Sequence, residues 1–277
     1  MIKILFLTII IIFNALPAMA VNYCSDSNTA GAWLLDETSG SYVDCTPNLN
    51  TGVISGTIDQ TATLKYGNAA SFTTVNNSTI NFGSNAVIDN VFDAGGTFAA
   101  WIGLSSAGTA SNRCTGSELF SKDGANDGFG LCVNTTGAIV FSYKWAGGWV
   151  DWTSNTNPFS AFSGAAQHVL VYYNSDSISN VPTVLIGCSA LTMVQGGTAP
   201  ATPRNTDAAL SLRIGLDGVD TGEVNGKFDE VIYYNGDLTG SCSALSTEGI
   251  DGTHGAVSSG TSLLMNGVNF DGASTLN

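Results

Sequence analysis

Positive charge is scarce in this chain: 8 Lys plus Arg stand against 22 Asp plus Glu, for a formal net charge of -14. The basic residues are scattered, so a phosphate-binding surface has nothing to build on and nucleic acid is excluded as an expected partner. Only two histidines occur, His168 and His254, and no Cys-x-x-Cys spacing does, which argues against a zinc knuckle or a dithiol redox motif. Catalytic signatures are equally thin. There is no Gly-x-Ser-x-Gly elbow and no Glu-x-Asp-x-x-Glu run, and two carboxylates about 5 to 5.5 Å apart are what retaining glycoside hydrolysis requires. Helical periodicity is confined to a short stretch around Ser243 to Thr247.

What the chain does have begins with a secretory signature in residues 1–20. Lys3 supplies the basic start, Ile4 to Phe13 the apolar core, and Ala18, Met19 and Ala20 a small-x-small cleavage site before Val21. The apolar run is short and is broken at Asn14 and Pro17, so no membrane insertion is expected after cleavage. A secreted or extracellular location follows, with the cell surface and the periplasm left open. The acidic balance favours solubility and divalent cations and repels polyanions. All six cysteines (Cys24, Cys45, Cys114, Cys132, Cys188 and Cys242) follow this segment, and an even count in an exported chain points to disulfides. Cys114 with Cys132 is the favoured pair, because the two flank one predicted hairpin.

Residues 21–248 read as one all-β domain. Short apolar or alternating runs bounded by Gly, Asn, Asp and Ser predict strands near Ala32–Leu35, Ala70–Phe72, Thr79–Phe82, Phe98–Leu104, Glu118–Ser121 and Gly128–Val133. Further strands are predicted near Ile139–Tyr143, Trp149–Trp152, Gln167–Tyr173, Thr183–Ile186, Leu210–Ile214 and Phe228–Tyr234. About a dozen strands without helices mean a two-sheet antiparallel β-sandwich or a barrel. Residues 249–277 form a Gly-, Ser- and Asn-rich tail in which LLMNGVNF (263–270) is a candidate terminal strand.

Several segments in order also resemble laminin G-like and pentraxin-like domains of the concanavalin A-like lectin and glucanase superfamily. These are AGAWLLDETSGSYVD near the start, FAAWIGL at 98, ELFSKDGANDGFGLCV at 118, QHVLVYYNS at 167 and LRIGLDGVDTGEVNGKFDEVIYYNGDL at 212–238. The likeness spans roughly residues 30 to 245. His168 and Ser175 match the ends of the pentraxin signature, whereas Leu170 and Tyr173 replace its Cys and Trp, so the chain is more similar to a laminin G-like module than to a true pentraxin. The resemblance implies a jelly roll, and a calcium ion held by two rim loops at positions matching Asn126, Asp127, Asp217 and Asp220, with Glu223 in reserve. Turn capping by Asp and Asn beside Gly is the competing account of those acids. A second acid group, Asp36, Glu37, Asp44, Asp229 and Glu230, admits a structural cation or turn capping in the same way.

Three of the five tryptophans fall in one hairpin, as Trp145, Trp149 and Trp152, with Tyr143 and Asp151 among them. Exposed rings stack on sugars and a nearby carboxylate accepts hydroxyl hydrogen bonds, so Trp145, Trp149, Asp151 and Trp152 are candidate glycan contacts. On a strand, Trp149 and Asp151 share one face and Trp152 takes the other, which buries at least one indole. His168, on a core strand, reads as a hydrogen-bonded structural residue. Together these features predict a secreted, non-enzymatic recognition or adhesion module for a glycan, cell-surface or matrix ligand, with calcium as the cofactor and a homo-oligomer left open. The alternatives are a structural subunit of an extracellular filament, coat or virion, and, third, a polysaccharide-active enzyme.

Overall fold

Alternating apolar residues separated by glycine- and asparagine-rich turns leave the chain few options besides short strands, and the computed structural model contains eighteen. It describes residues 22–73, 77–108, 116–124, 127–197, 201–215, 223–252, 263–265 and 268–270. The first half comprises β1 (Thr29–Trp33), β2 (Val53–Ser55), β3 (Asp59–Ala62), β4 (Ala69–Phe72), β5 (Thr79–Gly83), β6 (Gly96–Leu104), β7 (Ser117–Asp123) and β8 (Gly128–Val133). The second comprises β9 (Ile139–Trp145), β10 (Gly148–Ser154), β11 (Gln167–Tyr173), β12 (Thr183–Ile186), β13 (Ser189–Ala190), β14 (Met193–Gly197), β15 (Leu212–Ile214) and β16 (Gly226–Tyr234). Helix α1 (Cys242–Glu248) follows. Strands β17 (Leu263–Met265) and β18 (Val268–Phe270) pair with each other in a two-stranded sheet of their own, so LLMNGVNF adds no strand to the main sheets.

The main strands form two antiparallel sheets of eight, the predicted sandwich. Sheet I runs β13-β12-β11-β6-β16-β4-β3, with β1 paired to β16; sheet II runs β14-β10-β9-β8-β7-β15-β5-β2. Strands missed by the sequence reading, β2, β3, β13 and β14, lie at or next to sheet edges, where polar residues replace the apolar alternation that marks the interior. One face of each sheet meets the other in an aromatic layer. Phe98 stacks on Phe120 with centroids 3.8 Å apart, and Phe92 packs edge-on against Phe129 at 4.7 Å and Phe141 at 5.7 Å. Tyr173 and Tyr233 complete the same cluster.

The outer faces differ. Ala32, Ala99, Leu170, Leu185 and Ile232 of sheet I are roofed by Tyr23, Leu238, Leu245 and Ile250 in a second apolar cluster. Disulfides Cys24–Cys45 and Cys188–Cys242 belong to this roof, tying the N-terminal segment and α1 to it. Cys132 is also disulfide-bonded; Cys114, its predicted partner, lies outside the described residues, as does the predicted signal peptide. Phe92 enters the interlayer from a short 3-10 turn, Val91–Asp93, and touches rings from both sheets. Truncating it leaves a cavity that neither sheet can close, so Phe92→Ala is expected to cost about 3–5 kcal/mol in a urea unfolding titration.

Candidate functional site

With the described roof on sheet I, the partly exposed outward side chains of the sandwich include those at the two ends of sheet II, on β10 and on β5 and β15. The outward side chains of sheet II follow from strand alternation. On β9, Ile139, Phe141, Tyr143 and Trp145 enter the core, leaving Val140, Ser142 and Lys144 outside. On β10, Val150 and Trp152 enter the core, leaving Trp149, Asp151 and Thr153 outside. The register then sets one row of directly opposed residues across the sheet: Asn81 on β5, Arg213 on β15, Ser121 on β7, Gly130 on β8, Ser142 on β9, Asp151 on β10 and Gly196 on β14. Val53 on β2 continues the row beyond Asn81 and is 56% exposed; every other member is polar or glycine. Its centre, Ser121, Gly130 and Ser142, is small and buried, while Trp149, Asp151, Asn81 and Arg213 toward the ends are partly exposed.

At the β10 end, Ser142 Oγ donates to Asp151 Oδ1 at 2.6 Å, which fixes the carboxylate and leaves Oδ2 facing outward as an acceptor without a protein partner. Beside it, the Lys144 ammonium lies 5.6 Å from the centre of the Trp149 ring, a cation–π contact that orients the indole. The predicted pairing of Trp149 with Asp151 on one face therefore holds. Trp145 and Trp152 do not belong with them. They are 1% and 0% exposed, packed against Tyr143 at 5.8 Å and against Tyr173 at 5.3 Å respectively, because their register points them into the interlayer. Neither can stack on a ligand.

The other end is a cleft of about 520 Å³ on β2, β5 and β15, lined by Thr51, Val53, Ser55, Thr79, Asn81 and Arg213 among others. Sequence reasoning missed this region. Arg213 lies within the segment resembling the family's closing strands, yet its outward position depends on a three-residue strand and on pairings with β5 and β7 that span more than 90 residues of sequence.

Of the four predicted calcium ligands, the described residues include Asp127 alone. Asn126, Asp217 and Asp220 lie outside them, and Asp127 accepts a hydrogen bond from Asn205 Nδ2 at 3.0 Å. Glu223 Oε1 accepts from Asn77 N at 3.1 Å. The one trio of ligand-type groups among the described residues is His168 with Cys188 and Cys242, and those two sulfurs are already joined in a disulfide. His168 is a structural residue: its Nδ1 lies 3.6 Å from Cys242 Sγ, and burial, aided by the Lys65 charge, lowers its pKa to about 4.

The second acid group is explained by capping. Asp44 accepts from Ala32 N, Thr46 N and Asn50 N, Asp36 from Asn68 N, and Glu37 from Val43 N. Asp229 Oδ2 accepts from Lys65 N and Tyr66 N, while Glu230 Oε2 accepts from Ile250 N at 2.6 Å. Glu230 sits at a bulge in β16 with φ 53°, which carries its backbone into the left-handed region.

No family model matches the chain, and no curated protein does. Solved structures share the fold. The binding domain of Paraclostridial Mosquitocidal Protein 1 aligns with a TM-score of 0.59 at 15% identity, over 79% of this chain and 52% of that one. Domain 4 of AbnA, a GH43 extracellular arabinanase from Geobacillus stearothermophilus in complex with arabinotriose, aligns at 0.51 and 19% identity, over 79% of this chain and 97% of that domain. The binding domain of botulinum neurotoxin DC, in complex with rat synaptotagmin II, aligns at 0.55 and 10% identity, over 79% and 51%. The chain spans about half the length of the toxin binding domains. At these identities the likeness is one of fold, a two-sheet β-sandwich.

Burial pushes the Asp229 carboxyl up to about 7, against its backbone donors, and the Glu230 carboxyl up to about 8, with Asp229 and Asp251 adding like charge. A raised folded-state value means that the native state keeps protons the unfolded chain releases above pH 4. The stability this pair contributes is therefore complete below pH 4 and is lost as pH rises through 7 to 8. Asp229→Asn keeps an acceptor for Lys65 N and Tyr66 N. It is expected to raise stability at pH 8 by roughly 1–3 kcal/mol and to change little at pH 4, measured by denaturant titration at both pH values.

Proposed function

We propose that the protein is a non-catalytic recognition module that acts outside the cell and holds a glycan across the outer face of sheet II. The observation that carries this reading is the row from Asn81 to Gly196: a track of polar residues and glycines on the outer face of sheet II, with a partly exposed tryptophan and an orienting carboxylate at one end. Trp149 offers the exposed part of its indole to a sugar ring, and Asp151 accepts a hydroxyl hydrogen. Above Gly196 the space is open, with nothing within 4 Å of where a Cβ would stand, so a ligand reaching the β14 edge meets no side chain there.

This arrangement is rigid because it stands on strands rather than loops, which reduces the ordering cost of binding. The disulfides and the acidic balance suit an extracellular setting; among the structures that share the fold, the toxin domains are binding domains and the arabinanase domain is in complex with arabinotriose. No described helix is long and apolar enough to cross a membrane. Calcium enters no step of this reading.

Screening the purified chain on a glycan array and following hits by calorimetry tests the reading. Trp149→Ala is expected to weaken binding about tenfold or more, near 1.4 kcal/mol, with melting unchanged. Trp152→Ala, in contrast, is expected to lower stability by about 3–5 kcal/mol, because its ring is core. Polymers of the purified chain with no glycan binding would replace recognition by a structural role.

A further inference from the structure

Arg213 stands apart from the other described cations. Lys122 is buried between Asp89 and Asp207, and Arg204 pairs with Asp93 at 2.9 Å. Lys227 donates to Thr63 O at 3.1 Å, while Lys65 and Lys144 lie over the rings of Trp101 and Trp149 at 4.5 and 5.6 Å. Arg213 has no ion-pair, hydrogen-bond or ring partner among the described residues. It projects from a strand held on both sides by β5 and β7, so its backbone is fixed. In a chain with 22 acidic residues, the described residues that line its cleft include no carboxylate.

Its neighbours share its donor character. Asn81, directly opposite on β5, accepts the Gly83 N–H at 2.8 Å through Oδ1, so the group it offers the cleft is its Nδ2 amide with two hydrogens. The Thr79 hydroxyl donates to Ile214 O at 3.0 Å and is thereby fixed. Guanidinium and amide together place a charged donor and a neutral one in a cleft whose other polar side chains are the neutral hydroxyls of Thr51, Ser55 and Thr79. An unpaired guanidinium in such a site suits an anion, and its fork pairs best with a planar carboxylate.

We infer that the Arg213–Asn81 cleft is an acid-sugar subsite, which binds the carboxylate of a uronic or sialic acid residue on the glycan whose neutral part lies along the row toward Trp149. This rests on the reading of sheet II as a glycan-binding face and adds the ligand's charge and orientation. Four strand spacings separate β15 from β10, about 19 Å, so one extended oligosaccharide can reach both ends. The chain's net charge of -14 opposes densely charged polyuronates, while salt screening beyond about 8 Å leaves the local contact with a single acid intact. The ligand class is therefore an oligosaccharide with an isolated acid.

The test is calorimetry on the whole chain in 150 mM salt with 3′-sialyllactose, a disaccharide ending in glucuronic acid, the methyl ester of each, 6′-sulfolactose and lactose. At least one of the two acids is expected to bind at least about tenfold more tightly than its ester and than the sulfate. Arg213→Gln and Arg213→Lys are each expected to erase that margin while leaving lactose affinity and melting unchanged, since the side chain has no partner to lose. Asn81→Asp, which places a carboxylate opposite the guanidinium, is expected to do the same. Equal binding of acid and ester, equal binding of the sulfate, or an acid preference that survives Arg213→Gln overturns the subsite. If lactose still binds in a Trp149-dependent way, the glycan-binding face stands without it; if no sugar binds, both fall.

Discussion

The rest of the structure depends on the aromatic layer between the sheets. Two eight-stranded sheets of short strands carry little intrinsic preference for stacking, and what joins them is apolar area removed from water. Phe92, Phe98, Phe120, Phe129, Phe141, Tyr143, Tyr173 and Tyr233 interlock from both sides, and Trp33, Trp145 and Trp152 extend the layer. Because side chains alternate along a strand, every ring committed inward forces its neighbour outward. The surface of sheet II is thus written by its core: Trp152 in and Asp151 out are one decision.

The same logic explains why the chain is asymmetric. Sheet I turns apolar residues to both sides and needs a roof, which the terminal segments and α1 supply and two disulfides hold. Adding that roof buries polar backbone, and the acids satisfy it: Asp229 and Glu230 accept from residues 65, 66 and 250, and Asp44 alone accepts three N–H groups around the 44–50 turn. Carboxylates that resemble a cation site in the bare sequence are thus the partners of buried amides. Ionising them in that environment is costly, which is why burial raises the pKa of both Asp229 and Glu230.

Most of the strand inventory was legible in the sequence because interior strands carry a strong apolar signal; Gly128–Val133, Gln167–Tyr173 and Thr183–Ile186 coincide with their predicted limits. Edge strands such as β2, β3 and β14 were silent, since exposure on one side removes that signal. The site was legible only in part. Alternation placed Trp149 with Asp151 and opposed them to Trp152, but Trp145 required knowledge that β9 runs to residue 145 in phase with Phe141 and Tyr143. Arg213 and Asn81 lie 132 positions apart and meet through sheet pairing alone, which a single sequence does not encode in any local pattern.

That long-range pairing also bears on why a cation should persist unpaired on an acidic protein. An unpartnered arginine on a mobile loop would find one of the many surface carboxylates at little cost. On β15 it is held between two strands, so its reach is limited to the cleft, and the described residues that line that cleft include no carboxylate. Electrostatic complementarity within the protein is thereby withheld at this point, whereas Lys122, Arg204 and Lys227 all have theirs. A preorganised donor set with no internal carboxylate partner lowers no energy in the free protein; the interaction is realised when an external anion arrives.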